Sequence, residues 1–218
     1  MTEARSIDDR TVRFAEHFDS LERQAHAAKL GMSLFLASEA LLFSGLFTLF
    51  LAYRAHYPAA FEEGVHLNTK VFGSVNTGIL LVSSTFVASA VQMQRKGRSR
   101  LAAAFVGITM ALGVAFLVVK IAEYFVHFRE GIFPGAQGSF FVEHTTPGLG
   151  LFWTLYFVMT GLHAVHVAVG VTVLGFMLVR ILRGTVAPPY THPLEIGAIY
   201  WHLVDLIWIF LWPLIYLA

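Results

Sequence analysis

Apolar residues in this chain come in long unbroken runs, not in the short alternation of a strand or the one-sided stripe of a soluble helix. Five runs stand out, at about 31–53, 71–93, 101–127, 149–179 and 196–217. Crossing a hydrocarbon core of about 30 Å takes roughly 20 mainly apolar helical residues, and each run meets that length. Inside a bilayer every backbone polar group must find its partner within the protein, which a helix provides by itself. The pattern therefore predicts an all-α, polytopic membrane protein whose five transmembrane helices form a bundle over residues 30–218. Residues 1–29 precede it as a charged N-terminal segment. There Phe14, Phe18, Leu21 and Ala25 fall at helical spacing, the mark of a short interfacial helix, with a frayed tail as the other outcome.

The segments between the runs carry the charge. Arg5, Arg10, Arg13, Arg23 and Lys29, then Arg95, Lys96, Arg98 and Arg100, then Arg180 and Arg183 all fall on one side of the membrane; only Arg54, Lys70 and Arg129 fall on the other. An excess of Lys and Arg marks cytoplasmic segments, so the N-terminus is expected in the cytoplasm and the C-terminus in the periplasm. Segment 129–148 is rich in Gly and Pro and reads as irregular, with Phe140–Phe141 available to a partner or to lipid. Segment 184–193, with Pro188, Pro189 and Pro193, is turn material.

Composition narrows the function classes. The 218 residues are 56% hydrophobic and 13% charged, about half the charged share of a soluble domain. A net charge of +1 gives no reason to expect a nucleic-acid partner. Cysteine is absent, which excludes disulfides and thiolate metal sites and leaves His, Asp, Glu and Met as conceivable ligands. The mixed charges of residues 1–29 do not resemble a signal peptide, so the first span reads as a permanent helix. No internal repeat is visible, which counts against a transporter built on inverted halves.

Ionisable groups at membrane depth cost roughly 2.5–3.5 kcal/mol each on insertion scales, so each one needs a reason. Glu39 lies ten residues past Lys29, about 15 Å into the first helix at 1.5 Å per residue. It reads either as a proton-linked carboxyl or as a protonated tether to a neighbouring helix. Lys120 and Glu123 sit one turn apart near the end of the third helix and predict a local ion pair. On the fourth helix His163, His166 and Gly170 share a face, while Gly161, Ala164, Ala168, Thr172 and Gly175 occupy the opposite one. Small residues admit close helix packing, so the second face is expected to pack and the first to present imidazoles. Metal ligation by these histidines is disfavoured, because no Glu stands three residues before either of them as a di-iron bundle requires. On the fifth helix Trp201, Asp205, Trp208 and Trp212 form one stripe. Asp205 lies near mid-depth, with His202 one turn earlier to share its proton. The stripe suits either internal contact or docking to a partner subunit.

Five segments, in order, resemble the subunit III family of haem-copper oxidases, that is, cytochrome c oxidase subunit III. They are LFLASEALLFSGLF with Ser38–Glu39, VNTGILLVSS, KIAEYF with Glu123–Tyr124, MTGLHAVHVAVG with Gly161, His163, His166 and Gly170, and EIGAIYWHLVDLIWIFLWPLIY with Tyr200, Trp201, His202, Val204 and Asp205. The resemblance runs from about residue 30 to the end, in the short five-helix bacterial form that lacks the first two helices of the longer one. It implies a non-redox accessory subunit with no catalytic centre and no cofactor or metal of its own, in a proton-translocating enzyme that reduces O2 to water in aerobic respiration. Haem and copper would belong to partner subunits I and II. The chain would pack on subunit I, stabilise it and support its proton uptake, with subunits II and IV as further neighbours and a respiratory supercomplex as a larger setting.

By carry-over Glu39 is the membrane-embedded carboxyl, and Glu123, His163, His166, His202 and Asp205 form a structural polar network. Arg180 and Arg183 would meet phospholipid headgroups, although the missing helices remove part of the family's lipid cleft. Glu39 and Tyr200–Trp201–His202 favour an aa3 or caa3 cytochrome c oxidase in a bacterial inner membrane over a quinol oxidase. A stand-alone His-ligated redox protein and a proton-coupled transporter using Glu39 and Asp205 are the competing classes.

Overall fold

The structure is a computed structural model and describes residues 21–135, 138–186, 188 and 190–217. Among these residues the chain forms seven helices and no strand: α1 (Leu21–His56), α2 (Pro58–Leu67), α3 (Lys70–Arg95), α4 (Ser99–Arg129), α5 (Phe140–Glu143), α6 (Leu149–Leu182) and α7 (His192–Tyr216). Five of them, α1, α3, α4, α6 and α7, are long and apolar enough to cross a membrane, as the hydrophobic runs predict.

The first span begins earlier than the runs suggest. α1 starts at Leu21, inside the segment expected to precede the membrane domain. Nothing between Gln24 and Leu30 stops a helix, because Gln, Ala, Lys and Leu are all good helix formers. The interfacial helix expected from Phe14 and Phe18 lies outside the described residues, while Leu21 and Ala25 belong to α1 itself. α2, which the runs do not announce, starts with Pro58 in its first turn, where the missing N–H costs nothing. In segment 129–148 the described backbone is irregular apart from the single turn α5.

Helix ends are set by glycine. After α3, Gly97 adopts φ +72°, with Gly97 N donating to Gln94 O and Arg98 N to Met93 O. Gly184 after α6 repeats this, with bonds to Ile181 and Arg180. These are Schellman endings, which satisfy the last carbonyls and need a residue at ease with positive φ.

α3, α4, α6 and α7 pack around one core, and α1 leans on α6 and α7 from outside. Of the five spans α1 is the least buried. Trp201 marks the centre of the core. Its ring lies against Gly113 of α4 and Gly170 of α6, where an added Cβ would come within 2.6 Å and 2.8 Å of it, and its Nε1 donates to Ser83 Oγ of α3 at 3.0 Å. Four helices meet on one side chain because two of them carry no Cβ at the contact.

This arrangement reverses the expected roles of the two α6 faces. The imidazole face is the packed one, with His163, Val167 and Gly170 buried, whereas Ala168 and Thr172 are exposed. Small residues permit close approach but do not compel it; the large apolar and aromatic partners of His163 and Gly170 decide which face turns inward.

Candidate functional site

The polar groups at membrane depth form three separate clusters, each joining different helices. The first joins α1 to α6. Glu39 Oε2 lies 2.8 Å from His166 Nε2, and His166 Nδ1 lies 2.8 Å from Leu162 O. A carbonyl only accepts, so Nδ1 carries a hydrogen and donates it. Nε2 then either accepts from a neutral Glu39 carboxyl or, as imidazolium, donates to a carboxylate. One proton is shared and the pair is neutral overall in both states. The side chains are 16% and 13% exposed, so lipid has little access to them. Phe43 packs edge-on against the imidazole at 5.4 Å.

The second cluster ties α4, α6 and α7 together near the other end of the bundle. Lys120 Nζ donates to Glu123 Oε2 at 3.0 Å, to Tyr156 OH at 3.1 Å and to Tyr216 OH at 2.7 Å. Tyr156 and Tyr216 in turn donate to Glu123 Oε1 at 2.7 Å and 2.6 Å. Lys120 and Glu123 are 1% and 0% exposed. Such burial is tolerable only because both charges have their hydrogen-bonding capacity met, and four aromatic rings within about 5.5 Å face the ammonium as well. The spacing of Lys120 and Glu123 announces the ion pair but not the tyrosines. Tyr216 nevertheless continues the Trp201, Asp205, Trp208, Trp212 stripe by one more turn, and Tyr156 precedes His163 by seven residues on its own face. Both signals were present in the sequence.

The third cluster lies between α3 and α7. Ser84 Oγ and His202 Nδ1 are 2.8 Å apart, and Trp208 Nε1 donates to Thr77 Oγ1 at 3.0 Å. The expected His202–Asp205 pair is not formed. His202 turns to Ser84, and Asp205, 4% exposed, faces the same serine from one turn along, with neither oxygen hydrogen-bonded among the described residues. The aromatic stripe is also not a docking face, because Trp201 and Trp208 are fully buried. Glycines 73, 113 and 170 give its rings their room.

His163 stands apart from all three clusters, buried between Phe116 at 5.5 Å and Trp208 at 5.1 Å. His163, His166 and His202 thus face different neighbours, and among the described residues no three His, Asp or Glu converge as a metal-binding group. At the Lys- and Arg-rich end, Arg183 is exposed and Arg180 half-buried, its guanidinium 5.8 Å from Phe176 and its Nε 3.5 Å from Thr185 Oγ1.

Five apolar spans held by buried pairs define an integral, multi-pass membrane protein. The particular family follows from comparison with known proteins. The profile described as cytochrome c oxidase subunit III matches residues 15–218, and the chain belongs to that family. It is 34% identical over 189 residues to cytochrome c oxidase subunit 3 of Synechocystis, covering 86% of this chain and 74% of that protein. To cytochrome c oxidase subunit 3 of Papio hamadryas it is 31% identical over 196 residues, covering 86% and 68%. To quinol oxidase subunit 3 of Bacillus spizizenii it is 28% identical over 211 residues, covering 93% and 96%. Relatives of both oxidase kinds are therefore present.

Proposed function

We propose that this chain is the accessory subunit III of an aa3- or caa3-type cytochrome c oxidase in a bacterial inner membrane, with its N-terminus in the cytoplasm. It packs on the catalytic subunit I, stabilises it and supports its proton uptake, while haem and copper reside in subunits I and II. The observation that carries this reading is the commitment of two membrane-depth polar clusters to joining helices of this chain. Glu39 with His166 holds α1 to α6, and Lys120 with Glu123, Tyr156 and Tyr216 holds α4, α6 and α7. Their role is mechanical. Each replaces an exposed polar group in hydrocarbon by an internal pair, which fixes the shape presented to a neighbouring subunit. Arg180 and Arg183, free of carboxylate partners among the described residues, meet lipid phosphates with their stems in the apolar layer.

Purification in mild detergent through a tag on this chain tests the reading. Larger chains carrying haem are expected to copurify. A tagged chain that comes down alone, or that shows a haem spectrum by itself, contradicts it. The second reading, subunit III of a quinol oxidase, is favoured by the nearly end-to-end match to the Bacillus spizizenii protein. Turnover of the purified complex with reduced cytochrome c but not with quinol supports the first reading, and the opposite result supports the second.

A further inference from the structure

α7 meets α6 on one side, through Tyr200 and Trp208, and α3 on the next, through Trp201, His202 and Trp208. α1 lies on a third side, with the Phe35 and Phe47 rings 6.0 Å and 6.4 Å from Tyr200 and Phe210. α1 and α3 make no extended contact with each other. Between them α7 shows Ile199, His202, Leu206 and Ile209, spaced as one helical stripe and exposed apart from the half-buried His202. The result is a groove along the membrane with α7 as its floor, deepened between α1 and α7 by a cavity of about 250 Å³.

One group on that floor does not suit lipid. His202 Nδ1 is occupied by Ser84, but Nε2 makes no hydrogen bond among the described residues and is not sealed off by the protein. His202 lies ten residues past His192, about 15 Å along the helix and so near mid-depth. Beside the same serine Asp205 is 4% exposed, with both oxygens unsatisfied. Acyl chains supply no hydrogen-bonding group, and a polar group left bare there costs several kcal/mol.

We propose that this groove seats a transmembrane helix of a partner chain, which brings a hydrogen-bonding side chain to His202 Nε2. The inference deepens the oxidase-subunit reading and rests on it. Nε2 donates or accepts according to its tautomer, so a hydroxyl or amide side chain on the incoming helix fits, and a purely aliphatic helix does not. The exposed stripe runs along α7 from Ile199 to Ile209, so the partner helix lies along α7 with Leu206 against it.

A photo-crosslinking residue at Leu206, on the groove floor, and one at Ile121, 67% exposed on α4, read this out in the intact complex in native membranes. The Leu206 probe is expected to label a different chain, within a membrane segment carrying a hydrogen-bonding side chain less than one turn from the mapped site, and to do so several-fold more than the Ile121 probe. His202→Leu is expected to cut that labelling by about three- to fifteenfold, the worth of one interhelical hydrogen bond in a membrane, and His202→Gln to retain most of it. Labelling of lipid alone, labelling of a second copy of this chain, or equal labelling in the His202→Leu variant overturns the proposal. If the haem-bearing complex copurifies and Leu206 labels no other chain, the groove is wrong and the family role stands. If no haem protein copurifies, the family role itself fails.

Discussion

Replacing Lys120 with methionine removes one charge from a site with almost no access to solvent, and the geometry sets the cost. Nζ and Glu123 Oε2 are 3.0 Å apart, which at an effective dielectric constant of about 20 is an attraction of roughly 5 kcal/mol. Breaking a buried pair from one side costs about 3–5 kcal/mol, because the other charge stays behind. Here Tyr156 and Tyr216 still donate to Glu123, so the lower end applies. The expected loss is about 3 kcal/mol, or roughly 150-fold in the folding equilibrium at 1.4 kcal/mol per decade. Lys120→Met combined with Glu123→Gln removes both charges and keeps an acceptor for the two hydroxyls, and is expected to cost only about 1 kcal/mol. The cycle then shows a coupling of about 2 kcal/mol or more. Titration of the purified complex with sodium dodecyl sulfate, followed by tryptophan emission, reads this, because the Trp208 ring lies 5.5 Å from Nζ. Single and double variants whose effects add within about 0.5 kcal/mol would refute the reasoning.

Two further outcomes follow from the packing. Gly170→Ala places a Cβ 2.8 Å from a Trp201 ring held on its far side by Gly113 and Ser83, and is expected to cost about 1–3 kcal/mol; Gly161→Ala, whose added Cβ meets nothing closer than 3.6 Å, is the control, and equal thermal midpoints for the two would contradict the account. Glu39→Gln keeps a group able to hydrogen-bond His166, whereas Glu39→Leu frees α1 by about 0.6–1.7 kcal/mol, seen as faster hydrogen exchange along α1 in the leucine variant; identical exchange in both would remove the tether role.

Hydrophobic run length carried most of the fold. Each apolar run became one membrane helix, because in hydrocarbon the backbone has no other way to satisfy itself. The early start of α1 and the existence of α2 were harder to read, since the intervening residues are helix formers with no apolar run to mark them. Within the site, short-range spacing was informative and long-range pairing was not. Lys120 and Glu123 sit one turn apart, so their contact follows from helix geometry. Glu39 and His166 stand 127 residues apart, and only the docking of α1 on α6 brings them together. His202 and Asp205 show the opposite failure. Their spacing permits a pair, yet Ser84 on α3 takes the His202 imidazole across the interface and leaves Asp205 without a hydrogen bond among the described residues. The α6 faces were inverted for a related reason: a face of small residues can pack, but whether it does depends on which neighbour carries the rings.

The central claim is that the histidines of this chain hold helices and ligate nothing, and it is tested most directly by counting haem and copper per assembled complex. His163→Gln, His166→Gln and His202→Gln, each alone, are expected to leave both counts and the reduced-minus-oxidised spectrum at wild-type values, with any effect confined to yield and thermal stability. Loss of one haem or one copper equivalent in any of the three would contradict it.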